Sequence, residues 1–306
     1  MTVQIEYDGV KEQCMSGKTV NSAIFLLVIG NALALVSDIF IKLLHPDTPV
    51  FQFAFLRSLM TLVLLLPFCR VLAGQSFFQG ARVHFIRAHI HLAGMVCMVI
   101  ALTHLPLATA NALFYAAPIL VLLLSAIFFA ERLTPLSLMA VFSGFAGILV
   151  ILRPVEFNWA AWAALVSALA LALGALLVRK LPKQQTTGHK LLLNYLLLLP
   201  TAGVLAWWEG AAWQPELLFN AFGSAVFILG YNVTVLLAYR QVDASQVTSA
   251  EYTGLIWAVL IGWIAFAERP DIWFLVGSLM IVIPLVLIGI QQGRRNRQRI
   301  HRPTTS

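Results

Sequence analysis

Long apolar stretches separated by short polar connectors make up most of the chain, and their lengths predict membrane-spanning helices. A helix needs about 20 mostly apolar residues to cross a bilayer. Ten stretches meet this requirement: 20–43, 50–69, 84–103, 107–129, 135–152, 158–178, 190–208, 217–239, 245–267 and 271–290. The sequence therefore predicts an all-α integral membrane protein with ten transmembrane helices, called spans 1 to 10 in chain order.

Composition agrees with this prediction and excludes other classes. The 306 residues are 60% hydrophobic and 11% charged, whereas soluble domains have about 45–50% apolar and about 25% charged residues. The net charge of +7 is divided among short connectors, so no nucleic-acid partner is expected. Three cysteines are too few and too apolar in context for a disulfide framework. Residues 1–19 lack the basic region of a secretory signal, so span 1 is expected to be retained.

The distribution of lysine and arginine predicts the orientation of the chain. Alternate connectors and the two ends place 15 of the 20 basic residues on one side and two on the other, with three inside or at the edge of spans. Basic residues accumulate on the cytoplasmic side of membrane proteins. Both termini are therefore expected to be cytoplasmic, as a polar segment at residues 1–19 and a basic tail at residues 291–306.

One phrase occurs twice and predicts an internal duplication. Tyr115–Arg132 and Tyr252–Arg269 match at eight of 18 positions when they are aligned, and both end in Phe-Ala-Glu-Arg. The phrase belongs to span 4 and span 9, so each repeat has five spans: residues 20–152 and 153–290. Because five is odd, the second copy crosses the membrane in the opposite direction. Inverted repeats are typical of secondary transporters that expose one cavity alternately to two sides.

These features resemble the EamA branch of the drug/metabolite transporter superfamily, over about residues 20–290. The motif Phe-x-x-Glu-Arg-Leu-Thr at residues 128–134 carries the resemblance, together with Gly144 and Gly147 in the following span. The second copy departs from it at Arg269-Pro270-Asp271. The chain is similar to YddG-type exporters. That similarity implies export of amino acids, including aromatic ones, and other small amphipathic metabolites across the bacterial inner membrane. It implies no cofactor or metal.

Polar side chains at matching positions of spans 4 and 9 predict a shared substrate cavity. The alignment of the repeated phrase pairs Asn111 with Thr248 and Tyr115 with Tyr252. Substrate sites of such transporters lie near the bilayer midplane, at the interface of the repeats. Hydrogen bonding between helices, which is common for such residues in membranes, remains an open alternative.

Other spans supply candidate cavity walls. Met95 and Met98 share a face of span 3, and Tyr231 belongs to a polar and aromatic edge of span 8. Such side chains suit a flat apolar substrate. His84, Arg87 and His91 also share a face of span 3, but near its predicted start, and contact with lipid headgroups is the favoured interpretation.

Charged residues inside spans are costly and therefore mark structural or functional sites. Asp38 and Arg57 are each about 10 Å from the same end of spans 1 and 2, from the rise per residue. Their equal depth predicts an ion pair that ties the two spans, while Lys42 is expected to extend outward. Glu251 has no basic residue at its depth. Pairing with a substrate ammonium, proton uptake and simple solvation all remain open for it.

The ends and interruptions of spans predict structural or gating elements. Glu131-Arg132 and Glu268-Arg269 close spans 4 and 9, where arginine complements the helix dipole and the glutamates are expected to bond to other helices. Pro118 and Gly254 interrupt the same two spans. Each is expected to act as a hinge or as a point of close packing.

The function predicted from sequence is that of a secondary transporter, and not of an enzyme. The stretch Ser16–Thr19 imitates the end of a phosphate-binding loop but lacks its first glycine and a preceding strand. No metalloprotease or hydrolase motif occurs. The alternative is an intramembrane enzyme acting on lipid-like substrates. A channel is less favoured, because no ring-forming charge pattern is present.

Overall fold

The fold is helical throughout the part of the chain that the computed structural model describes, which comprises residues 20–67, 79–130, 134–152, 159–182, 184–239 and 253–300. In chain order the helices are α1 (Val20–Lys42), α2 (Val50–Leu65), α3 (Ala81–His104), α4 (Leu107–Phe114), α5 (Ala116–Phe129), α6 (Pro135–Leu152), α7 (Trp159–Val178), α8 (Thr187–Trp208), α9 (Leu217–Tyr239), α10 (Thr253–Phe266) and α11 (Ile272–Ile300). Long helices were predicted from the apolar stretches, and all ten stretches contain one.

Eight segments of the described chain are long and apolar enough to cross a bilayer, with α4 and α5 counting as one. Helices α2 and α10 are apolar but have only 16 and 14 residues. Residues 240–252, which include the predicted start of span 9, lie outside the described residues. Large apolar side chains such as Phe25, Trp207 and Ile264 point out of the bundle, as they do where lipid is the solvent. The chain is therefore a multi-span membrane protein.

Helices from the first and second halves of the chain pack against each other in a reciprocal pattern. Helix α1 packs on α9 and α3 packs on α7, so the first helix of each half contacts the third helix of the other. In the same way, α2 contacts both α8 and α9, and α3 contacts α8. The fifth helices, α6 and α11, contact each other. Each half thus supplies the packing surface of the other.

An offset of 137 residues relates the two halves, and the hydroxyl of Ser143 donates to the carbonyl of Met280, which is 137 residues away, at 2.8 Å. This one offset separates the starts of α2 and α8, the starts of α6 and α11, and the ends of α5 and α10. One contact also occurs twice. Gly30 lies against Tyr231. The counterparts of these two residues are Ser167 and Gly94, and these also lie near each other. Such an exchange of partners is what an approximate two-fold axis produces.

Corresponding helices of the two halves run antiparallel where they touch. The backbone N–H of Gln52 on α2 donates to the Glu209 carboxylate beyond the end of α8, at 2.9 Å. One turn further along α2, Phe55 lies against Gly203, which is earlier on α8. Contacts on α8 therefore move backward as α2 moves forward.

Helices α4 and α10 are antiparallel by the same criterion. The hydroxyl of Tyr115, just after α4, lies against Gly254 near the described start of α10, whereas Ala108 at the start of α4 lies near Gly262. Gly254 permits this close approach, because a methyl group there would overlap the tyrosine oxygen.

The repeated Phe-Ala-Glu-Arg phrase produces the same backbone at both of its copies. Ala130 and Ala267 each follow a helix that ends at phenylalanine, and their φ angles are +52° and +53°. This left-handed conformation costs a non-glycine residue about 1–2 kcal/mol. After Ala267 the N–H of Glu268 donates to the carbonyl of Gly262 at 3.0 Å, which satisfies a helix end that would otherwise lack a donor.

Span 4 was predicted as one helix, but it is broken at Tyr115 into α4 and α5. Pro118 has no N–H, so the carbonyl of Phe114 loses its usual helical donor, and a proline inside a helix also crowds the preceding turn. The break has φ −67° and ψ −3° at Tyr115. The break divides the span near its middle.

The bundle has two ends, named here by a residue at each. The Lys42 end contains the end of α1, the start of α2 and the connection from α3 to α4. The His84 end contains the starts of α3 and α8, where the His84 ring nitrogen Nε2 and the Gln185 side-chain oxygen are 2.8 Å apart.

Candidate functional site

A cavity of about 290 Å³ lies among α2, α3, α7, α8 and α9, so both halves of the chain contribute to its wall. From the helical rise of about 1.5 Å per residue, its lining runs from the middle of the bundle towards the His84 end. The cavity residues considered below are Arg57, Arg87, His91, Met95, Met98, Asn194, Tyr195 and Tyr231.

Arg57 is the most deeply buried charge in the cavity wall, with 3% of its surface exposed. Its Nε donates to the hydroxyl of Ser224 on α9 at 2.9 Å. The Ser224 hydroxyl is in turn 2.8 Å from that of Ser37 on α1. These contacts hold the guanidinium between three helices. They use only one of its three nitrogens.

Arg87 adds positive charge and His91 adds hydrogen-bonding capacity on α3. The Nη1 of Arg87 donates to the carbonyl of Lys190 at 3.4 Å. The His91 ring meets the Tyr195 ring edge-on, with 5.6 Å between centroids. The His91 Nε2 is buried and has no hydrogen-bond partner in the described chain.

Asn194 completes the polar side of the cavity from α8. It is 2% exposed, and its Oδ1 has no hydrogen-bond partner among the described residues. A buried carbonyl oxygen without a donor costs about 1–3 kcal/mol. Asn194 is also the counterpart of Arg57 in the second repeat.

Methionine and tyrosine side chains form the less polar wall. Met95 and Met98 on α3 and Tyr231 on α9 all line the cavity, next to Tyr195. Met95 is buried and its sulfur accepts a weak hydrogen bond from Ser58 at 3.9 Å. Thioether and phenol groups adapt to flat or apolar ligands.

The predicted ion pair between Asp38 and Arg57 is wrong as a direct contact. No ion pair within 4 Å joins these two described residues. The Oδ2 of Asp38 instead accepts a hydrogen bond from the Nδ2 of Asn111 at 3.3 Å, and the same amide donates to the carbonyl of Leu107 at 3.1 Å. Equal depth put the two charges at one level, but the Nε of Arg57 donates to Ser224 instead.

Lys42 does not extend outward as predicted; it pairs across the bundle with Glu268. The Nζ of Lys42 is 3.3 Å from the Glu268 carboxylate and donates to the carbonyl of Leu105 at 2.5 Å. The other Glu268 oxygen accepts from the N–H of Leu107 at 2.6 Å. These four residues are called the Lys42–Glu268 cluster. The expectation that Glu268 bonds to other helices is confirmed.

The remaining predicted residues are distributed around these two regions. Asn111 and Tyr115 are not part of the cavity lining described above. Pro118 lies just after the break in span 4, and Gly254 belongs to the α4–α10 contact. Arg269 follows Glu268 in an exposed position. Five predicted residues lie outside the described residues: Glu131, Arg132, Thr248, Glu251 and Tyr252.

Sequence reasoning missed four residues of the cavity, although signals for three of them were present. Arg87 and His91 share a face of span 3, but the predicted start at residue 84 placed them too near the surface. Helix α3 begins earlier, at Ala81. The repeat offset maps Arg57 onto Asn194. No comparable signal marks Tyr195.

Comparison with known proteins identifies the class of the chain. The model of the EamA-like transporter family matches residues 21–153 and again residues 157–290. A crystal structure of a protein that is 17% identical in sequence superposes with a TM-score of 0.58, covering 90% of this chain and 100% of that one. At this identity the likeness shows the fold alone.

Several curated relatives match most of the chain. An S-adenosylmethionine uptake transporter of Rickettsia conorii is 27% identical, over 90% of this chain and 94% of that protein. The pseudopaline exporter CntI of Pseudomonas aeruginosa is 24% identical, over 88% and 96%. A riboflavin transporter of Brucella anthropi is 28% identical, over 75% and 84%. With the family model matching twice and covering both halves, the chain belongs to the EamA-like transporter family.

Proposed function

We propose that this protein exports small amphipathic metabolites, including aromatic and other amino acids, by exposing one central cavity alternately to the two sides of the membrane. The observation that carries the proposal is the position of the cavity. Helices of both halves line it, and the Lys42 end is tied by an ion pair while the lining runs towards the other end. A compartment of this kind has the form expected of one state of a two-state cycle.

The transporter class itself follows from the comparisons. The family and the names of the relatives are those of transporters and not of enzymes. The alternative of an intramembrane lipid enzyme is therefore set aside. The relatives named above are associated with three different small metabolites and with both uptake and export, so the substrate and direction in our proposal depend on the cavity and on the resemblance to YddG-type exporters.

The proposed architecture has ten spans arranged as two inverted five-helix repeats, residues 20–152 and 153–290. The antiparallel pairs α2–α8 and α4–α10 support it, because inverted repeats require corresponding helices to run in opposite directions. Two such halves give one sequence two near-equivalent packings, each open to a different side. The excess of basic residues on one side supports cytoplasmic termini and a bacterial inner-membrane location.

The proposal assigns roles to the predicted residues in two groups. Substrate contact belongs to Met95, Met98 and Tyr231, which line the cavity, and to Asn111, Tyr115, Thr248, Glu251 and Tyr252 at equivalent depths of spans 4 and 9. Structural or gating roles belong to Asp38, Pro118, Glu131, Arg132, Gly254, Glu268 and Arg269; Arg57 was also predicted for this group, but it lines the cavity. The break at Tyr115 supports a hinge in span 4.

Transport in proteoliposomes tests the proposal. Purified protein is reconstituted and the movement of radiolabelled L-phenylalanine, L-methionine, S-adenosylmethionine and riboflavin is followed, with and without a pH gradient. We expect protein-dependent movement of at least one amino acid. Protein-free liposomes are the control. Movement of none of the four solutes would reject the proposed substrates.

Cysteine accessibility tests alternating access. Tyr115→Cys is introduced into protein whose native cysteines are replaced by serine, and a membrane-impermeant thiol reagent is applied from each face. A transported solute should change the ratio of labelling from the two faces. Labelling from one face only, unchanged by solute, would contradict alternating access.

A further inference from the structure

The charges around the cavity are unbalanced towards positive. Arg57 and Arg87 are the charged residues of its described lining, and no aspartate or glutamate is found there. Asp38 is near enough to Arg57 to interact with it electrostatically, but its carboxylate accepts from Asn111 and it does not line the cavity. With Asp38 ionised, about one positive charge remains uncompensated.

The polar groups of the wall also have unused hydrogen-bonding capacity. Arg57 donates through Nε alone among the described contacts, so its two terminal nitrogens remain available. The Oδ1 of Asn194 lacks a donor within the described chain, although the residue is only 2% exposed. Charges and polar groups within a membrane protein are expensive when unpaired. Such groups at one cavity indicate a ligand that completes their bonds.

The geometry points to a carboxylate as that ligand's anionic group: we propose that Arg57 and Arg87 bind the carboxylate of the substrate, while Asn194 accepts a hydrogen bond from a donor on the same molecule. Guanidinium groups bind carboxylates through paired charge-assisted hydrogen bonds. A single negative charge matches the one uncompensated positive charge. The tyrosines and methionines of the cavity wall contact the apolar remainder. The cavity therefore selects metabolites that carry a carboxylate and rejects cations that lack one.

This inference rests on the proposed function only in taking the ligand to be the transported solute. The charge of the cavity itself is measured without transport. Ala175 on α7 lines the cavity and is exposed there, so Ala175→Cys in otherwise cysteine-free protein provides a reporter. Its rate of reaction is compared for the anionic reagent 2-sulfonatoethyl methanethiosulfonate and the cationic reagent 2-(trimethylammonio)ethyl methanethiosulfonate. Each rate is divided by the rate with a free thiol in solution.

We expect the normalised rate to favour the anionic reagent by about tenfold, within the range that charged clefts produce. Arg57→Gln and Arg87→Gln should each reduce this preference about fivefold. Arg57→Lys, which keeps the charge, guards against misfolding of the first variant and should retain the preference. Arg82→Gln, on an exposed position of the same helix α3, is the matched control and should leave it unchanged.

Protection of the reporter identifies the ligand chemistry. L-Phenylalanine and 3-phenylpropionate should slow the anionic reagent at least threefold at saturation, whereas L-phenylalaninamide and inorganic phosphate should not. Equal protection by the acid and its amide, or protection by neither acid, would overturn the carboxylate assignment. The assignment would also be overturned if the normalised rate favoured the cationic reagent or if neither arginine variant changed the preference between the reagents. Failure of both reagents to react would overturn it as well.

The outcomes also separate this inference from the proposed function. If the protein shows the anion preference and the carboxylate protection but moves no solute in liposomes, the site is supported and the transport proposal is rejected. Solute transport with unchanged KM and maximal rate in Arg57→Gln and Arg87→Gln keeps the transport proposal and rejects the site.

Discussion

The cavity and the Lys42–Glu268 cluster use the same kinds of residue in opposite ways. In the cluster, Lys42 pairs with a carboxylate and a backbone carbonyl, and Glu268 accepts from a lysine and a backbone N–H. In the cavity, Arg57 and Asn194 keep groups without partners in the described chain. Full pairing indicates a structural contact. Incomplete pairing indicates a place where a ligand completes the bonds.

The difference arises from position along the helices. The cluster lies where α3 ends and α4 begins, and helix ends leave backbone N–H and C=O groups unsatisfied. Those groups, from Leu105 and Leu107, complete the charges of Lys42 and Glu268. The cavity lies along helix interiors, where backbone groups already bond to each other. A charge there has only side chains or a ligand to pair with.

Glu268→Gln should give the largest change in stability, because it leaves Lys42 without a counter-ion where the two side chains are only 15% and 18% exposed. Loss of one partner of a buried ion pair costs about 3 kcal/mol in the free energy of unfolding. Chemical unfolding of the purified protein in detergent measures it. The double variant Lys42→Met with Glu268→Gln should recover part of the loss. A loss below about 0.5 kcal/mol would show that the cluster does not close that end.

Asn111→Leu should have the next largest effect, about 2 kcal/mol of destabilisation, because a buried carboxylate and a carbonyl lose their shared donor. The donor bonds Asp38 at 3.3 Å and Leu107 at 3.1 Å. Asn232→Leu is the matched control, since its amide bonds the Ile228 carbonyl of its own helix. It should cost about 1 kcal/mol or less. Equal losses in the two variants would mean that the Asp38–Asn111 bond adds nothing between helices.

The positions of the helices could be predicted from sequence because their signals are one-dimensional. The apolar stretches placed the helices, and the repeated phrase placed two helix ends that share one left-handed backbone at Ala130 and Ala267. The break at Tyr115 was harder to predict from the sequence. Pro118 marks a weak point in span 4, but whether a proline bends a helix or interrupts it depends on the packing around it.

The candidate site was predicted in part, because depth is readable from sequence and direction around a helix is not. Depth alone paired Asp38 with Arg57, whereas the actual partners are Asn111 and Ser224. Met95 was predicted to line a cavity from the face that it shares with Met98, and both are among the lining residues of the cavity described here. The roles of the residues outside the described ranges stay predictions.

Asn194→Leu should stabilise the protein, whereas Asn111→Leu should destabilise it. The replacement has a similar volume and removes a buried oxygen that has no donor in the described chain, so the free energy of unfolding should rise by about 1 kcal/mol. Protection of the cavity reporter by L-phenylalanine should weaken in the same variant. Destabilisation by more than about 1 kcal/mol would instead mean that Asn194 holds the fold and not the ligand.

Asp47→Asn should have the smallest effect on the free energy of unfolding. The Asp47 carboxylate lies 3.4 Å from the Nδ1 of His45 in the connection between α1 and α2, but the two side chains are 92% and 78% exposed. Water screens such a pair, so its loss should change the free energy of unfolding by less than about 0.5 kcal/mol. This pair is close along the chain to Lys42, and the two pairs have nearly equal distances. If Asp47→Asn destabilised the protein as much as Glu268→Gln, burial would not explain the difference between the two pairs. Incomplete pairing of buried polar groups would then no longer indicate a place where a ligand binds.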